Sequence, residues 1–147
     1  MSWLSAFLLW YHIQCLPGDE EIQFDVAHSR FHQAGLGDRV RLLNQDYRKL
    51  TGQFDKLVSI EMIEAVGHEY FATFFRQCAG LLRPGGQMLM QAITIKEQRY
   101  REHLRRVDFI RKYIFPGGCL PSVLALGQAA AAASDLQFHH LEDMTAH

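Results

Sequence analysis

The chain has 147 residues, of which 48% are hydrophobic, so it is long enough for one domain with a real core and is not a disordered chain. Fifteen basic and sixteen acidic residues leave a formal charge of −1, which gives no global attraction to nucleic acid. Three cysteines without paired metal-type spacing predict neither a disulfide framework nor a metal site, and they favour a reducing, cytoplasmic setting.

Residues 1–18 form an apolar N-terminal segment that begins MSWLSAFLLWYHIQCL. No basic residue precedes the apolar run and no small-residue cleavage site closes it, so it does not resemble a signal peptide. A membrane span needs about 20 apolar residues, so we predict no transmembrane span. Two interpretations without a targeting role stay open, namely a buried element and a segment outside the fold; a membrane or export role is the remaining alternative. The predicted domain begins at residue 19.

The next stretch alternates between helical and extended patterns. Residues 19–33 carry acidic side chains in the first turn of a predicted helix, where the helix dipole favours them, and Gly35 and Gly37 end it. The sequences RVRLLN at 39–44 and FDKLVSIEM at 54–62 are predicted to be strands.

A βαβ unit is predicted between residues 54 and 95. HEYFATFFRQCAGLL at 68–82 has apolar residues at spacings of three and four, which is typical of an amphipathic helix. RPGG at 83–86 ends that helix, and QMLMQAITI at 87–95 is predicted to be the next strand. Strand, helix and strand at this spacing predict a mainly parallel sheet in a doubly wound α/β domain.

A basic segment, KEQRYREHLRRVDFIRKYIF, follows at residues 96–115. Its cationic residues include Arg99, Arg101, Arg105, Arg106, Arg111 and Lys112, and aromatic and aliphatic residues lie between them. One interpretation is a solvated helix face. The other is an interfacial helix over residues 99–113, with basic side chains on lipid phosphates and aromatic side chains on acyl chains.

The remaining chain begins with a shaped loop, FPGGCLPS, in which Pro116 restricts the backbone and Gly117 allows conformations closed to other residues. An alanine-rich helix is predicted at 123–134 and a last strand at 135–144.

Polar residues just beyond the predicted strands are candidate ligand-binding groups, because open parallel sheets bind ligands at the carboxyl ends of their strands. Asp46 is either an acceptor for an exocyclic amine or the cap of a turn. Glu64 is a candidate acid, base or anion-relay group, with a charge at a helix N-terminus as the alternative. Gln91 and Ile93 end the last strand of the βαβ unit on one face.

Four stretches together carry a resemblance: QAGLGDRVRLLNQDYR, FDKLVSIEMIEAVG, LLRPGGQMLMQAITI and YIFPGGCLPS. They resemble the cyclopropane fatty acid synthase family of S-adenosylmethionine-dependent methyltransferases, which includes the mycolic acid cyclopropane synthases. The resemblance covers about residues 20–144, and the YIFPGGCLPS element is specific to this family. It implies a partial Rossmann-like methyltransferase fold at 19–147 with a lipid-lid insertion at about 96–122, lacking the first strands and the closing hairpin.

The resemblance also implies a function, which is the addition of a methylene to the cis double bond of an unsaturated phospholipid acyl chain at the membrane surface. S-adenosylmethionine gives the carbon, and in such enzymes a bound bicarbonate ion acts as the base. The enzyme is expected in the cytoplasm, with a peripheral position at the inner membrane face open, and without a nucleic-acid partner. The implied catalytic residues are Glu64, Gln91 and Ile93; the cofactor residues are Gln23, Asp46, Tyr47 and Glu61; the lid residues are Tyr113, Phe115, Pro116, Gly117 and Cys119.

The chain departs from the family pattern in two ways. It reads LMQAIT where members commonly read LLHTIG, so Gln91 replaces a histidine and cannot carry charge. It also contains no glycine-rich GxGxG turn, which brings the backbone close to the cofactor, so we expect an incomplete, inactive fragment that binds the cofactor weakly or not at all. An unpaired sheet edge would favour self-association. The alternatives are a lipid methyltransferase without ring closure and a non-catalytic lipid-surface fragment.

Overall fold

The computed structural model describes residues 5–9, 19–107, 109–114 and 116–144. These residues belong to two compact units, of which one comprises Ile13–Leu50 and the other comprises Met1–His12 together with Thr51–His147.

The unit Ile13–Leu50 contains helix α1, Asp19–Gln33, and a 3-10 turn, Tyr47–Lys49. The helix ends in a glycine cap: the Leu36 amide donates to the Phe31 carbonyl at 2.9 Å and the Gly35 amide donates to the His32 carbonyl at 3.0 Å. Gly35 has φ +67, the left-handed conformation that this cap requires and that glycine adopts without strain. The predicted helix and its stop at Gly35 are therefore confirmed.

The predicted strand at 39–44 is wrong. Residues 40–44 are irregular, and among the described residues the sheet has three strands, none of which pairs with this stretch. The alternating pattern of RVRLLN favours an extended backbone, but a strand also needs a hydrogen-bonded neighbour, which this stretch lacks.

The unit with Thr51–His147 is built on a parallel sheet with the order β1-β2-β3, where β1 is Ser5–Leu9, β2 is Phe54–Ile60 and β3 is Leu82–Gln91. Ala6 and Met88 flank Leu57 of the central strand. The pairing of Ser5–Leu9 with β2 supports the interpretation of the apolar N-terminal segment as an element of the fold. The described fold thus includes one strand before residue 19 that the predicted domain boundary left out.

The crossover from β2 to β3 contains a short helix, α2 (Ile63–Val66), a 3-10 turn (His68–Tyr70) and helix α3 (Phe71–Leu81). Helix α3 contacts both strands and buries the predicted apolar face, which comprises Phe71, Phe74, Phe75, Cys78 and Leu81. Leu57 and Ser59 are the fully buried residues of β2. The predicted βαβ unit is confirmed, and the burial of this one helix face is the centre of the core.

Strand β3 differs from its prediction at both ends. RPGG lies inside the strand as an irregularity, because Phe54 pairs with Leu82 while Lys56 pairs with Gln87. A Cβ on Gly86 would lie 2.9 Å from the Arg83 carbonyl oxygen and 3.3 Å from that of Asp55, so only glycine fits this close approach. At the other end the strand stops at Gln91 instead of continuing to residue 95.

The predicted continuous helix over 99–113 is wrong, because the chain breaks after helix α4, Glu97–Arg105, and turns again as a single π-helical turn at Ile110–Ile114. The reason is visible at Arg111, whose guanidinium Nη1 donates to the His103 carbonyl at 2.6 Å and the Arg106 carbonyl at 2.7 Å. These contacts fold the chain back over the end of α4.

Helix α5, Val123–Ala133, is confirmed and packs on α3. Its N-cap is the buried Ser122, whose Oγ accepts from the Ala125 amide at 3.2 Å. Residues 135–144 were predicted to form a strand but are irregular and mostly exposed. None of the helices in the described ranges is long and apolar enough to cross a bilayer.

Candidate active site

The carboxyl ends of β2 and β3 are joined by Glu61 and Gln91. The Glu61 amide donates to the Gln91 carbonyl at 3.0 Å, and the Gln91 Nε2 donates to the Glu61 carboxylate at 3.2 Å. Glu61 has φ +48, a conformation that costs a non-glycine residue about 1–3 kcal/mol and is typical of functional sites. The chain therefore leaves the strand in a sharp turn that presents the exposed Glu61 carboxylate at the sheet edge.

Glu64 lies in α2, one turn beyond Glu61. Its Oε1 accepts a hydrogen bond of 2.5 Å from the Ile93 amide, while its Oε2 is buried and has no hydrogen-bond partner among the described residues. We call Glu61, Glu64, Gln91 and Ile93 the strand-end site. All four were predicted as site residues, and the tertiary structure brings them together.

The pKa of the Glu64 carboxyl is raised, chiefly because burial penalises its charged form. The Ile93 amide opposes this effect by donating to the charged form, and the negative charge of Glu61 adds to it. A buried polar atom without a partner costs about 1–3 kcal/mol. Oε2 can therefore donate a proton to a polar ligand or accept one, and it gains more from such a partner than an exposed oxygen would.

The loop 116–122 lies directly against α2. The Cys119 amide donates to the main-chain carbonyl of Glu64 at 2.7 Å, and the Ile95 amide donates to the Pro121 carbonyl at 2.9 Å. A Cβ on Gly67 would lie 3.4 Å from the Gly117 carbonyl oxygen, so the two backbones approach closely. Pro116, Gly117 and Cys119, which were predicted as lid residues, therefore lie on a loop that contacts the Glu64 backbone.

Arg111 and His103, neither of which was predicted as a site residue, also form hydrogen bonds with this loop. The Nε of Arg111 donates to the Gly118 carbonyl at 2.8 Å, and the Nε2 of His103 accepts from the Leu120 amide at 3.1 Å. Arg111 was grouped with the lipid-facing cations, yet its guanidinium is bound to main-chain carbonyls. No sequence signal distinguishes it, because seven lysine and arginine residues share that segment.

A second polar group lies between α3, α4 and α5. The His68 Nδ1 and the Tyr100 hydroxyl are 2.8 Å apart beside a shallow pocket of about 300 Å³, which Gln128 also lines. Burial raises the pKa of Tyr100 to about 12. Burial also raises the pKa of the Cys119 thiol, and the positive charge of Arg111 partly opposes this rise. Both groups are therefore neutral near pH 7 and serve as hydrogen-bonding groups rather than as nucleophiles.

Three of the remaining predicted residues, Gln23, Asp46 and Tyr47, belong to the unit Ile13–Leu50. In the unit Ile13–Leu50, Asp46 caps the 3-10 turn by accepting from the Arg48 amide at 2.9 Å, as its alternative interpretation stated. Hydrogen bonds from the Arg48 side chain and amide lower the pKa of Asp46 to about 2. Tyr47 is buried in the same turn, and the side chain of Gln23 in α1 lies outside the described residues, as does all of Phe115. Tyr113 is 59% exposed.

Comparison with known proteins identifies relatives of the chain. It is 39% identical over 127 residues to the tuberculostearic acid methyltransferase of Mycobacterium tuberculosis, which covers 81% of this chain and 30% of that protein. It is 42% identical over 91 residues to the cyclopropane-fatty-acyl-phospholipid synthase of Escherichia coli, which covers 62% of this chain and 23% of that protein. The chain thus spans less than a third of the length of these two relatives.

Solved structures support the α/β methyltransferase-like fold. The cyclopropane synthase MmaA2 of Mycobacterium tuberculosis superposes with a TM-score of 0.57 at 19% identity, over 89% of this chain and 54% of that one. A mycolic acid cyclopropane synthase complexed with SAH and CTAB gives a TM-score of 0.60 at 23% identity, with the same coverage. The predicted fold class is confirmed at this level, as a small parallel sheet with helices that matches part of the larger fold.

The sequence model of the mycolic acid cyclopropane synthetase family matches residues 20–147, which is nearly all of the chain beyond the apolar N-terminal segment. The family-specific loop, the two close relatives and the shared fold agree with that match. This chain belongs to the mycolic acid cyclopropane synthetase family of methyltransferases.

Proposed function

We propose that the chain supplies the acid–base and lid portion of an S-adenosylmethionine-dependent lipid methyltransferase, which adds a methylene to the cis double bond of unsaturated phospholipid acyl chains. One observation carries the proposal: Glu64 has a raised pKa, one oxygen bound to the Ile93 amide and one buried oxygen without a partner among the described residues. The names of the relatives in Mycobacterium tuberculosis and Escherichia coli support the reaction class.

When bound, S-adenosylmethionine supplies an electrophilic methyl group on a sulfonium. The exposed carboxylate of Glu61 fits a role in accepting hydrogen bonds from this cofactor, because a rigid turn holds it at the carboxyl end of β2. The roles of Gln23, Asp46 and Tyr47 toward the adenosine part stay part of the proposal. The complex of a structural relative with SAH supports a cofactor of this type.

A bicarbonate ion fits the strand-end site at Glu64. A carboxyl whose charged form is penalised by burial keeps its proton to higher pH, and a protonated Oε2 can donate to an anion. The anion would act as a base when bound, and Glu64 would hold it in place. The Gln91 amide donates to Glu61 in this structure, so it would orient Glu61 rather than carry positive charge.

The loop 116–122 would control the surroundings of this carboxyl. It reaches the Glu64 backbone through the Cys119 amide, and its backbone lies close to Gly67. A closed loop excludes water, and a developing carbocation survives only where water cannot reach it. The lid assignment of Pro116, Gly117 and Cys119 rests on this placement and on the family resemblance, whereas that of Tyr113 and Phe115 rests on the resemblance alone.

A second candidate is methyl transfer to a lipid without ring closure. Gln91 replaces the histidine that is common in the family and forms a hydrogen bond to Glu61, which leaves the site with one fewer group that can carry charge. Relatives named as a tuberculostearic acid methyltransferase and as a probable fatty acid methyltransferase of Pseudomonas putida, the latter 35% identical, favour this alternative.

The test is product analysis with the full 147-residue chain and its Glu64→Gln variant. Each is incubated with millimolar S-adenosylmethionine and vesicles of a phospholipid with one cis double bond per acyl chain, because weak cofactor binding is expected. Mass spectrometry of the fatty acid methyl esters distinguishes a cyclopropane from a methyl branch. Product from the parent chain that falls steeply in Glu64→Gln supports the proposal, and equal product from both overturns the role of Glu64. No product above a protein-free control is the result expected of an inactive fragment, and product from the parent chain would overturn that expectation.

A further inference from the structure

A short surface segment at residues 105–113, which we call the aromatic-basic turn, exposes large apolar side chains. Val107, Phe109 and Tyr113 are 66%, 68% and 59% exposed, and the rings of Phe109 and Tyr113 lie 5.0 Å apart. The two rings thus form one patch, with Val107 close in sequence. Single exposed apolar residues are common, but three within seven residues indicate a contact surface.

Cations lie within the same turn. Arg105, Arg106 and Lys112 are exposed. Arg106 also forms an exposed ion pair with Glu102 at 2.9 Å, and the Lys112 Nζ lies 5.1 Å from the centre of the Tyr113 ring. The sequence of the segment carries four basic residues and Asp108, which gives a formal charge of +3 in a chain whose total is −1. Positive charge and exposed aromatic rings are therefore concentrated in one place.

The turn is connected by hydrogen bonds to the loop of the candidate active site. Arg111 belongs to the turn by sequence, but its guanidinium donates to the carbonyls of His103, Arg106 and Gly118 at 2.6–2.8 Å. The residue after Gly118, Cys119, donates its amide to the Glu64 carbonyl. A partner that binds the turn is thereby placed next to the loop that contacts Glu64.

We propose that the aromatic-basic turn docks on the surface of an anionic lipid bilayer. Phe109 and Tyr113 would lie among the headgroups, where aromatic rings are favoured, and Arg105, Arg106 and Lys112 would face the phosphates. A second copy of the chain is disfavoured as the partner, because two such turns would bring like charges together. The inference deepens the proposed function by assigning the surface that meets the lipid, and it rests on that function only for the identity of the substrate.

The experiment is co-sedimentation of the full 147-residue chain with sucrose-loaded vesicles, without S-adenosylmethionine. Vesicles of phosphatidylcholine alone are compared with vesicles that also contain phosphatidylglycerol, at low and high salt. We expect binding that needs the anionic lipid and weakens with salt. Arg105→Ala/Arg106→Ala/Lys112→Ala should lower the partition coefficient about a hundredfold, because each cation near such a surface is worth about a factor of five. Phe109→Ser/Tyr113→Ser should lower it about tenfold.

The matched control is Arg30→Ala/Arg39→Ala/Arg41→Ala, which removes three exposed cations from the other unit. It should bind nearly as the parent chain does. The proposal is overturned if the parent chain ignores anionic vesicles, or if the control and the turn variants lose binding equally. It is also overturned if Phe109→Ser/Tyr113→Ser changes the sedimentation-equilibrium mass but leaves vesicle binding intact, because the patch would then be a contact between copies. Since the assay contains no cofactor, its outcome is independent of methyl transfer.

Discussion

Arg111 offers the sharpest test of how the loop 116–122 is held. Replacing it with Met keeps the aliphatic part of the side chain but removes donors to the carbonyls of Gly118, His103 and Arg106, which lie at 2.8, 2.6 and 2.7 Å. Hydrogen bonds from a charged donor are worth about 1.5–3 kcal/mol each when buried, and these are only partly buried. We therefore expect a total loss of about 2–3 kcal/mol, concentrated in the loop and its neighbours.

The assay is amide hydrogen exchange, which reports local opening. The Cys119 amide is bound to the Glu64 carbonyl and the Leu120 amide to the His103 ring, so both should exchange faster in Arg111→Met. A loss of about 2–3 kcal/mol corresponds to an increase of roughly 30–150-fold in their exchange rates. Amides in the centre of β2 should change far less, because they exchange through larger openings.

Two further variants make this result interpretable. Lys112→Met removes a neighbouring charge that is exposed, so it should change exchange by less than about twofold. Arg111→Lys keeps the charge but cannot donate to three carbonyls in the same fork geometry, so it should restore only a minority of the lost protection. If the Cys119 and Leu120 amides exchange as slowly in Arg111→Met as in the parent chain, the guanidinium does not hold the loop.

Three other predictions concern stability. Burial raises the pKa of Glu64 in the folded state, so its contribution to the free energy of unfolding is full below the unfolded pKa of about 4.5 and is lost as pH rises through the folded pKa. Glu64→Gln should therefore gain stability relative to the parent chain between pH 4 and pH 8 in urea titrations. A difference in stability that stays constant with pH would contradict the raised pKa. Gly86→Ala should destabilise by about 1–3 kcal/mol in thermal unfolding, because its Cβ would lie 2.9 Å from a carbonyl oxygen. Gly80→Ala, with nothing within 4 Å of the new Cβ, should instead stabilise helix α3 by up to about 1 kcal/mol, and equal signs would refute the packing argument. Ser122→Ala should cost about 1 kcal/mol by removing the cap on the Ala125 amide, and Ser122→Thr should recover most of it.

Local sequence patterns are sufficient for helices that pack through one apolar face and for helix ends that depend on nearby residues. Phe71, Phe74 and Cys78 recur at spacings of three and four, and all are buried in α3. Gly35 supplies the left-handed conformation of a helix cap, and Ser122 supplies an oxygen to the first turn of α5. These features rest on contacts within a few residues or on one amphipathic surface, so the sequence alone contains the required information.

Patterns that depend on a distant partner misled the prediction. RVRLLN at 39–44 and DLQFHHLEDM at 135–144 favour extended chain, yet neither pairs with a strand in the described structure, whereas the unassigned Ser5–Leu9 pairs with β2. The basic segment has helical periodicity, but the hydrogen bonds of Arg111 to carbonyls at the end of α4 break it. Sequence periodicity does not show which strand or carbonyl group lies close enough to form a hydrogen bond.

The features of the candidate active site divide in the same way between sequence and tertiary structure. The sequence by itself indicated the family and the parallel βαβ unit, and it selected Glu61, Glu64, Gln91 and Ile93 as candidates, because strand ends and the motifs of the resemblance can be read along the chain. Only the tertiary structure decided that one Glu64 oxygen binds the Ile93 amide while the other is buried, and that Arg111 holds the loop against Glu64. Ile93, whose amide binds Glu64, lies 29 positions further along the chain, and the Arg111 guanidinium binds main-chain carbonyls. No local sequence pattern specifies such partners.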